Sequence, residues 1–248
     1  MKKWTALGLA IIAALLLLLL PNKAKQQYYH NQGNIFGTYY NIRYESTEDL
    51  HEEIKAQLQE VDASLSMFNS QSIISKINRN EECRTDTLFD LMYREAYAIS
   101  ELSGGAFDIT VAPLVNAWGF GTKVQTLTTN NDICVDSIMP YVGYYKTHLI
   151  DHHIEKHDPR ITLDASAIAK GHACDVVASM LRNKGCANLL VDIGGEVVVQ
   201  GRNSNGNAWR VGISKPKKNA MGMEDELQEV VESTNLCMAT SGNYLQYY

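Results

Sequence analysis

The sequence contains no Walker loop, no G-x-G-x-x-G and no Ser-His-Asp order. The first two absences exclude the glycine-cradled nucleotide sites of P-loop and Rossmann proteins, and the third removes the serine-hydrolase triad. A basic excess is also missing: 22 Lys and Arg face 28 Asp and Glu, a net charge of −6, so there is no nucleic-acid footprint. The five cysteines (Cys83, Cys134, Cys174, Cys186 and Cys237) include no C-x-x-C pair and cannot all pair within the chain, so they read as mostly structural. No internal repeat is present, and no low-complexity tract beyond the early leucines.

What is present begins with MKKWTALGLAIIAALLLLLLPNKAK: Lys2 and Lys3, an uncharged run from Trp4 to Leu20, then Pro21 and the basic Lys23 and Lys25. The run just reaches spanning length. A cleaved signal peptide and an uncleaved anchor both fit. Asn22 and Lys23 stand where a small-residue cleavage site is wanted, and no lipid-accepting cysteine follows, which favours the anchor. Lys2 and Lys3 then keep the N-terminus inside and put the body outside the cytoplasm. The 248 residues allow one domain or at most two. The expected division is a signal anchor or signal peptide over 1–21, a polar juxtamembrane linker over 22–34 and one domain over 35–248.

Within that domain, IFGTYYNIRYE alternates as a strand over Ile35 to Glu45. Leu50, Ile54, Leu58, Val61 and Leu65 form a helical stripe, with Ser46 and Asp49 expected as a capping box. A second helix is expected over TDTLFDLMYREAYAISELSGG, burying Leu88, Leu91, Met92, Ile99 and Leu102 and stopping at Gly104. GAFDITVAPLVNAWGFG has no clean period and suggests irregular backbone packed around something. Short strands and turns follow from Val124 to Leu163. LDASAIAKGHACDVV then leads into a helix with Ala173, Val176, Val177, Met180 and Leu181 on one face and Gly185 past its end. NLLVDIGGEVVVQG reads as a strand, a Gly-Gly turn and a strand, and AWRVGIS as another strand. Hairpins with long helices between them give an α+β fold with a mixed, largely antiparallel sheet. MATSGNYLQYY stops inside an apparent strand, which suggests a missing C-terminal part.

The candidate site residues follow from local chemistry. Lys170 and Gly171 open a helix, where free amides and the dipole favour an anion, and the small residues before them let an extended ligand lie on the backbone. The same small residues also suit close helix-on-sheet packing. Asp108, between Phe107 and Ile109, needs a donor, which a ligand or a local turn amide can supply. Phe36, Phe68 and Phe107 can stack on a planar ring or be core. Gly104/Gly105 and Gly194/Gly195 read as turns. His152, His153 and His157 look like metal ligands by composition, but neighbours on a strand point to opposite faces, so an exposed hairpin is expected in place of zinc.

Taken in order, the segments resemble the FAD:protein FMN transferase (ApbE, or flavin transferase) family. GNIFGTYYNI is similar to its M-G-T strand, LSMFNSQSIISKIN to its M-S-x-[YFW] segment with S-x-[IL]-S-x-[IFL]-N, and SGGAFDITVAPLVNAWGFG to its G-[AG]-F-D block. LDASAIAKGHACDVV resembles its L-D-L-G-[GA]-I-A-K-G segment, followed by VDIGGEVVVQG, WRVGISKP and ATSGNY. The resemblance implies an ApbE-like, T-fold-like domain that cleaves FAD at its pyrophosphate with Mg2+, releases AMP and attaches FMN through a phosphoester to Thr or Ser of a target protein. It implies FAD contacts at Phe36 (Met in the family), Phe68, Ala106, Phe107, Asp108, Asp164 and Lys170, and a metal contact through the Ala167 carbonyl. It also implies acceptors that are exported proteins, such as redox-pump subunits, and a site at the bacterial inner membrane on the periplasmic or extracytoplasmic side. The family's later H-x-[IL]-D-P and D-x-x-x-T segments have no match, since HDPR at 157–160 lies before Asp164. Catalytic residues are therefore expected beyond Tyr248, and the 248-residue chain alone is expected to be inactive. Asn243 in place of the family's Asp is a milder departure. The competing reading is a non-catalytic exported flavin-binding module.

Overall fold

A computed structural model of the protein describes residues 25–121, 134–215 and 227–242. Its centre is a five-stranded sheet in the order β1 (Gln27–Ile35), β2 (Thr38–Ser46), β5 (Leu189–Ile193), β6 (Glu196–Gln200) and β9 (Asn235–Met238). All four pairings in it are antiparallel. Two smaller hairpins, β3 (Thr147–Ile150) with β4 (His153–Lys156) and β7 (Trp209–Ser214) with β8 (Leu227–Ser233), stand beside it. The helices are α1 (His51–Leu65), α2 (Ile73–Asn78), α3 (Thr87–Leu102), α4 (Ala112–Ala117), α5 (Val135–Ile138) and α6 (Ala169–Asn183). The architecture is α+β with a largely antiparallel sheet.

The strand period of two sorts side chains onto two faces. Tyr40, Ile42, Tyr44, Leu189, Val191, Ile193 and Val198 join Ile54, Leu58, Val61 and Leu65 of α1 and Ala173, Val177 and Leu181 of α6 in one core. The opposite face is covered by a smaller cluster, in which Leu190, Val197 and Val199 meet Trp209 and Val211 of β7. The α1 stripe is as the spacing predicts, with no residue of it more than 1% exposed. Each such side chain contributes about 1.5–3 kcal/mol by leaving water. The end of α6 also follows its sequence: Gly185 takes φ +86°, Gly185 N–H donates to the Arg182 carbonyl at 2.9 Å, and Cys186 N–H donates to the Leu181 carbonyl at 3.0 Å.

Four expectations differ from the structure. Residues 27–34 of the expected linker are β1, paired along its length with β2. This edge strand buries only Asn31, which accepts from the Tyr44 hydroxyl at 2.8 Å and donates to Asp49 at 3.1 Å, so no apolar alternation marks it. The Ser46/Asp49 capping box does not form: Leu50 precedes α1 without a side-chain cap. Asp49 instead accepts from Asn31 and the His51 amide, with the Tyr44 hydroxyl also at 2.9 Å. On α3 the buried face is Phe89, Asp90, Met92, Tyr93, Ala96 and Ser100, while Leu91, Ile99 and Leu102 are exposed, Leu102 at 88%. The buried polar groups there are satisfied, Tyr93 OH with Thr147 Oγ1 at 2.9 Å and Ser100 Oγ with the Ala96 carbonyl at 2.8 Å, which makes their burial tolerable. Finally, His152 lies in the β3–β4 turn at φ +64°, not on a strand, and its Nδ1 meets Asp90 Oδ2 at 2.6 Å. The hairpin is exposed at its tip, as expected.

Among the described residues no helix is long and apolar enough to cross a membrane. The Trp4–Leu20 run and the terminal Asn243–Tyr248 lie outside the described residues.

Candidate functional site

Two loops form one wall each of a cleft of about 820 Å³. The first follows α3, where Gly104 (φ +62°) and Gly105 (φ +83°) turn the chain through a conformation that favours glycine. Asp108 then caps a 3-10 turn over Ile109–Val111: its Oδ1 accepts from the Thr110 amide at 2.7 Å and the Thr110 hydroxyl at 2.6 Å. Its Oδ2 accepts from the Tyr144 amide at 2.8 Å, and Thr110 Oγ1 accepts from the Gly143 amide at 2.7 Å. Local donors therefore satisfy most of this carboxylate, and they also pin residues 143–144 across the cleft. The Tyr144 ring stands edge-on to Tyr97 at 5.3 Å.

The second loop is the small-residue stretch before α6. Asn78 holds its start through a reciprocal pair, accepting from Leu163 N–H at 2.7 Å and donating to the Leu163 carbonyl at 2.8 Å. Asp164 N–H donates to the Ile109 carbonyl at 2.6 Å, which joins the two loops directly. Asp164 Oδ1 accepts from the Ser166 amide at 2.8 Å, and its Oδ2 makes no hydrogen bond among the described residues. The small side chains divide between packing and the cleft. Ala165 and Ala173 are buried in the core, whereas Ser166 and Ala167 are exposed and line the cleft. An added Cβ at Gly171 meets nothing within 4 Å, so this glycine is not forced by packing.

Ala106, Phe107, Asp108, Asp164 and Ala167 thus share one cleft, together with Val111, Val115, Phe120, Tyr144 and Tyr145. Its volume falls in the usual range of ligand sites, about 300–1,000 Å³. Three other expected residues lie elsewhere. Phe36 occupies the β1–β2 turn at φ +53° and packs half-buried against the core, and Phe68, between α1 and α2, is 73% exposed. Lys170 lines a second cleft of about 830 Å³ that shares no lining residue with the first, with Asp192, the Gly194–Gly195 turn, Arg43, Arg210 and Thr240. There its Nζ pairs with Glu196 Oε1 at 3.1 Å. Burial raises the Asp192 carboxyl above its ordinary range, with Glu196 adding to the rise against the Gly195 amide. The histidines His148, His152, His153 and His157 belong to the β3–β4 hairpin region and line neither cleft.

Sequence reasoning missed Tyr144, Tyr145 and Glu196. The Gly143-Tyr144-Tyr145 run was the available signal for the first two; Glu196 had none beyond standing after the glycine pair. Among the described residues no three His, Cys, Asp or Glu side chains gather as metal ligands. Among the oxygens at the cleft are Asp164 Oδ2, unbonded among the described residues, and the main-chain carbonyl of Ala167. They suit magnesium, which takes one or two carboxylates and completes its shell with substrate phosphates and water.

A family model described as the ApbE family matches residues 36–248. The FAD:protein FMN transferase of Vibrio cholerae is 33% identical, over all of this chain and 74% of its own length. That of Haemophilus influenzae is 32% identical over 87% of this chain and 66% of its own length. The chain therefore spans about two thirds to three quarters of these relatives. Among solved structures, the flavin transferase ApbE of Vibrio cholerae superposes with a TM-score of 0.78 at 32% identity, over 90% of this chain and 74% of that one. The apo flavinyl transferase ApbE of Pseudomonas stutzeri gives 0.73 at 27% identity, over 91% and 73%. With the family model covering most of the sequence and the fold shared at this level, the chain belongs to the ApbE family.

Proposed function

We propose that this protein is a flavin transferase that takes FAD as substrate and passes FMN to a protein. The observation that carries the reading is the meeting of Ala106, Phe107 and Asp108 with Asp164 and Ala167 on one cleft, in a chain whose relatives are named for this transfer. The pyrophosphate bond of FAD breaks, AMP leaves, and a new phosphoester forms on a Thr or Ser hydroxyl of the acceptor. Such phosphoryl transfer asks mainly for alignment and charge neutralisation. In this reading Asp164 and the Ala167 carbonyl hold Mg2+, which supplies charge neutralisation on the phosphates. Phe107 and the neighbouring apolar wall take the flavin ring. Asp108 holds the loop under that ring, and Lys170, at the start of α6, takes phosphate charge.

The acceptors are exported proteins, such as subunits of redox pumps. The uncharged Trp4–Leu20 run, behind Lys2 and Lys3, tethers the body on the extracytoplasmic face of the inner membrane. FAD titration of the 248-residue chain by flavin fluorescence, with and without Mg2+, tests the binding half. Mass spectrometry of an exported acceptor tests the transfer half. Saturable FAD binding by these 248 residues is expected, with little or no FMN-sized mass gain on an acceptor Thr or Ser. A folded chain that does not bind FAD sinks the reading, and measurable FMN transfer by these residues alone overturns the expectation that they are inactive.

A further inference from the structure

The geometry points to Glu196 as the positioning residue for Lys170, an inference that rests on the role proposed above for that lysine. Glu196 opens β6 and is bound to α6 twice, one helical turn apart. Its Oε1 receives Lys170 Nζ at 3.1 Å, and its main-chain carbonyl accepts from Cys174 Sγ at 3.1 Å. Its other carboxylate oxygen, Oε2, accepts from the Thr240 amide at 3.1 Å, while Thr240 Oγ1 donates to the Gly195 carbonyl at 3.2 Å. The carboxylate therefore joins the first turn of α6 to the segment after β9, and Thr240 in turn bonds the Gly194–Gly195 turn. The Glu196 side chain is only 13% exposed and the Lys170 side chain 34%, so this pair is held at the edge of the second cleft and is not a loose surface contact.

The consequence for the lysine is definite. A free lysine has four rotatable bonds and samples many positions; an ammonium held by the Glu196 carboxylate at 3.1 Å, with the Gly194 carbonyl at 3.5 Å, has a fixed place from which to meet a phosphate. The Glu196 charge opposes an anionic ligand while the Glu196 geometry favours it, so removing the side chain gives opposite signs for the two effects. If placement dominates, FAD binding weakens; if charge dominates, it tightens.

Two measurements on the 248-residue chain decide the matter. The first needs no flavin. Acylation of Lys170 by an amine-reactive ester, read by peptide mass spectrometry, is expected to rise severalfold in Glu196→Ala and to stay near wild type in Glu196→Gln, whose amide oxygen still accepts. Hydrogen exchange at residues 239–242 should rise in the same variant and not in Lys170→Ala. Unchanged Lys170 acylation in a folded Glu196→Ala protein overturns the positioning role, whatever happens with FAD.

The second measurement is FAD affinity in Lys170→Ala, Glu196→Ala and the double variant. A loss of about tenfold, of the size of one charge-assisted hydrogen bond, is expected in each single variant. No further loss is expected in the double, because Glu196 acts through Lys170. Tighter binding in Glu196→Ala, or losses that multiply in the double, overturn the inference. A wild-type chain that does not bind FAD removes the functional reading instead, leaving the acylation result to judge Glu196.

Discussion

The two loops that wall the first cleft each carry an aspartate, yet the aspartates are spent differently. Asp108 accepts from Thr110 twice and from Tyr144 once, so it builds its own loop and reaches across the cleft to position another. Asp164 gives one oxygen to the Ser166 amide and keeps the other unbonded among the described residues. The wall after α3 is thus a scaffold held by its acid, whereas the wall before α6 is held mainly by main-chain and Asn78 contacts and leaves its acid available. Equal-looking residues in a motif can therefore have separate duties, and the hydrogen-bond count on each carboxylate tells them apart.

The largest expected effect is the one that would break this contrast. Asp108→Ala strips partners from two amides, of which Thr110 belongs to a fully buried residue. Leaving such donors unsatisfied costs about 3 kcal/mol in total, allowing for the half-exposed acid. For a protein of this size that lowers Tm by on the order of 10 °C. Asp164→Ala frees only the amide of exposed Ser166 and should cost about 0.5–1 kcal/mol. Scanning calorimetry on the two variants is the check, and equal losses would erase the distinction between the loops.

A second pair of substitutions sharpens the picture inside the second loop. Ala165 is 1% exposed in the core and Ala167 is exposed in the cleft, two residues away. Ala165→Leu forces extra volume into packed surroundings and should destabilise by about 1–3 kcal/mol. Ala167→Leu should leave Tm within about 0.5 kcal/mol of wild type while filling the cleft and abolishing FAD binding. Denaturant melts beside FAD titrations separate the two outcomes. An Ala167→Leu protein that binds FAD normally would put the ligand elsewhere.

How much of this was readable in the sequence depends on what each element had to bury. The stripe of α1, the Gly185 stop of α6 and the Gly194–Gly195 hairpin each follow a rule of period or backbone conformation, and each is in place. β1 was unreadable because an edge strand of QYYHNQGNI needs little apolar surface, and its one buried residue is an asparagine. The α3 face departs from the aliphatic stripe Leu88, Leu91, Met92, Ile99 and Leu102, because aromatic stacking and small residues, not the aliphatic period, fill it. The real face uses Phe89 and Tyr93, stacked at 6.3 Å, with Ala96 and Ser100 as close-packing small residues. At the site, the motif residues Ala106 to Asp108 and Asp164 to Ala167 do converge, because Asp164 N–H bonds the Ile109 carbonyl. No sequence rule gives that long-range bond, or the reach of Glu196 to Lys170.

The smallest expected effect concerns a third aspartate, Asp192, which resembles Asp164 in accepting from a turn amide, here Gly195 N–H at 3.1 Å. It differs in its surroundings, since burial and the neighbouring Glu196 favour its neutral form and raise its folded pKa above the ordinary 3.8. The sign follows from linkage: the native state holds the proton more tightly than the unfolded chain, so the relative stabilisation is full below the unfolded pKa. It is lost as pH rises through the higher folded value. Asp192→Asn cannot titrate, and its amide oxygen can still accept from Gly195. The stability difference between wild type and this variant should therefore move in favour of the variant as pH rises from about 3.8 through the folded pKa, then level off. Urea melts across that range read the slope directly. A flat difference would mean that Asp192 is not held away from water, and that the second cleft is wetter than its packing implies.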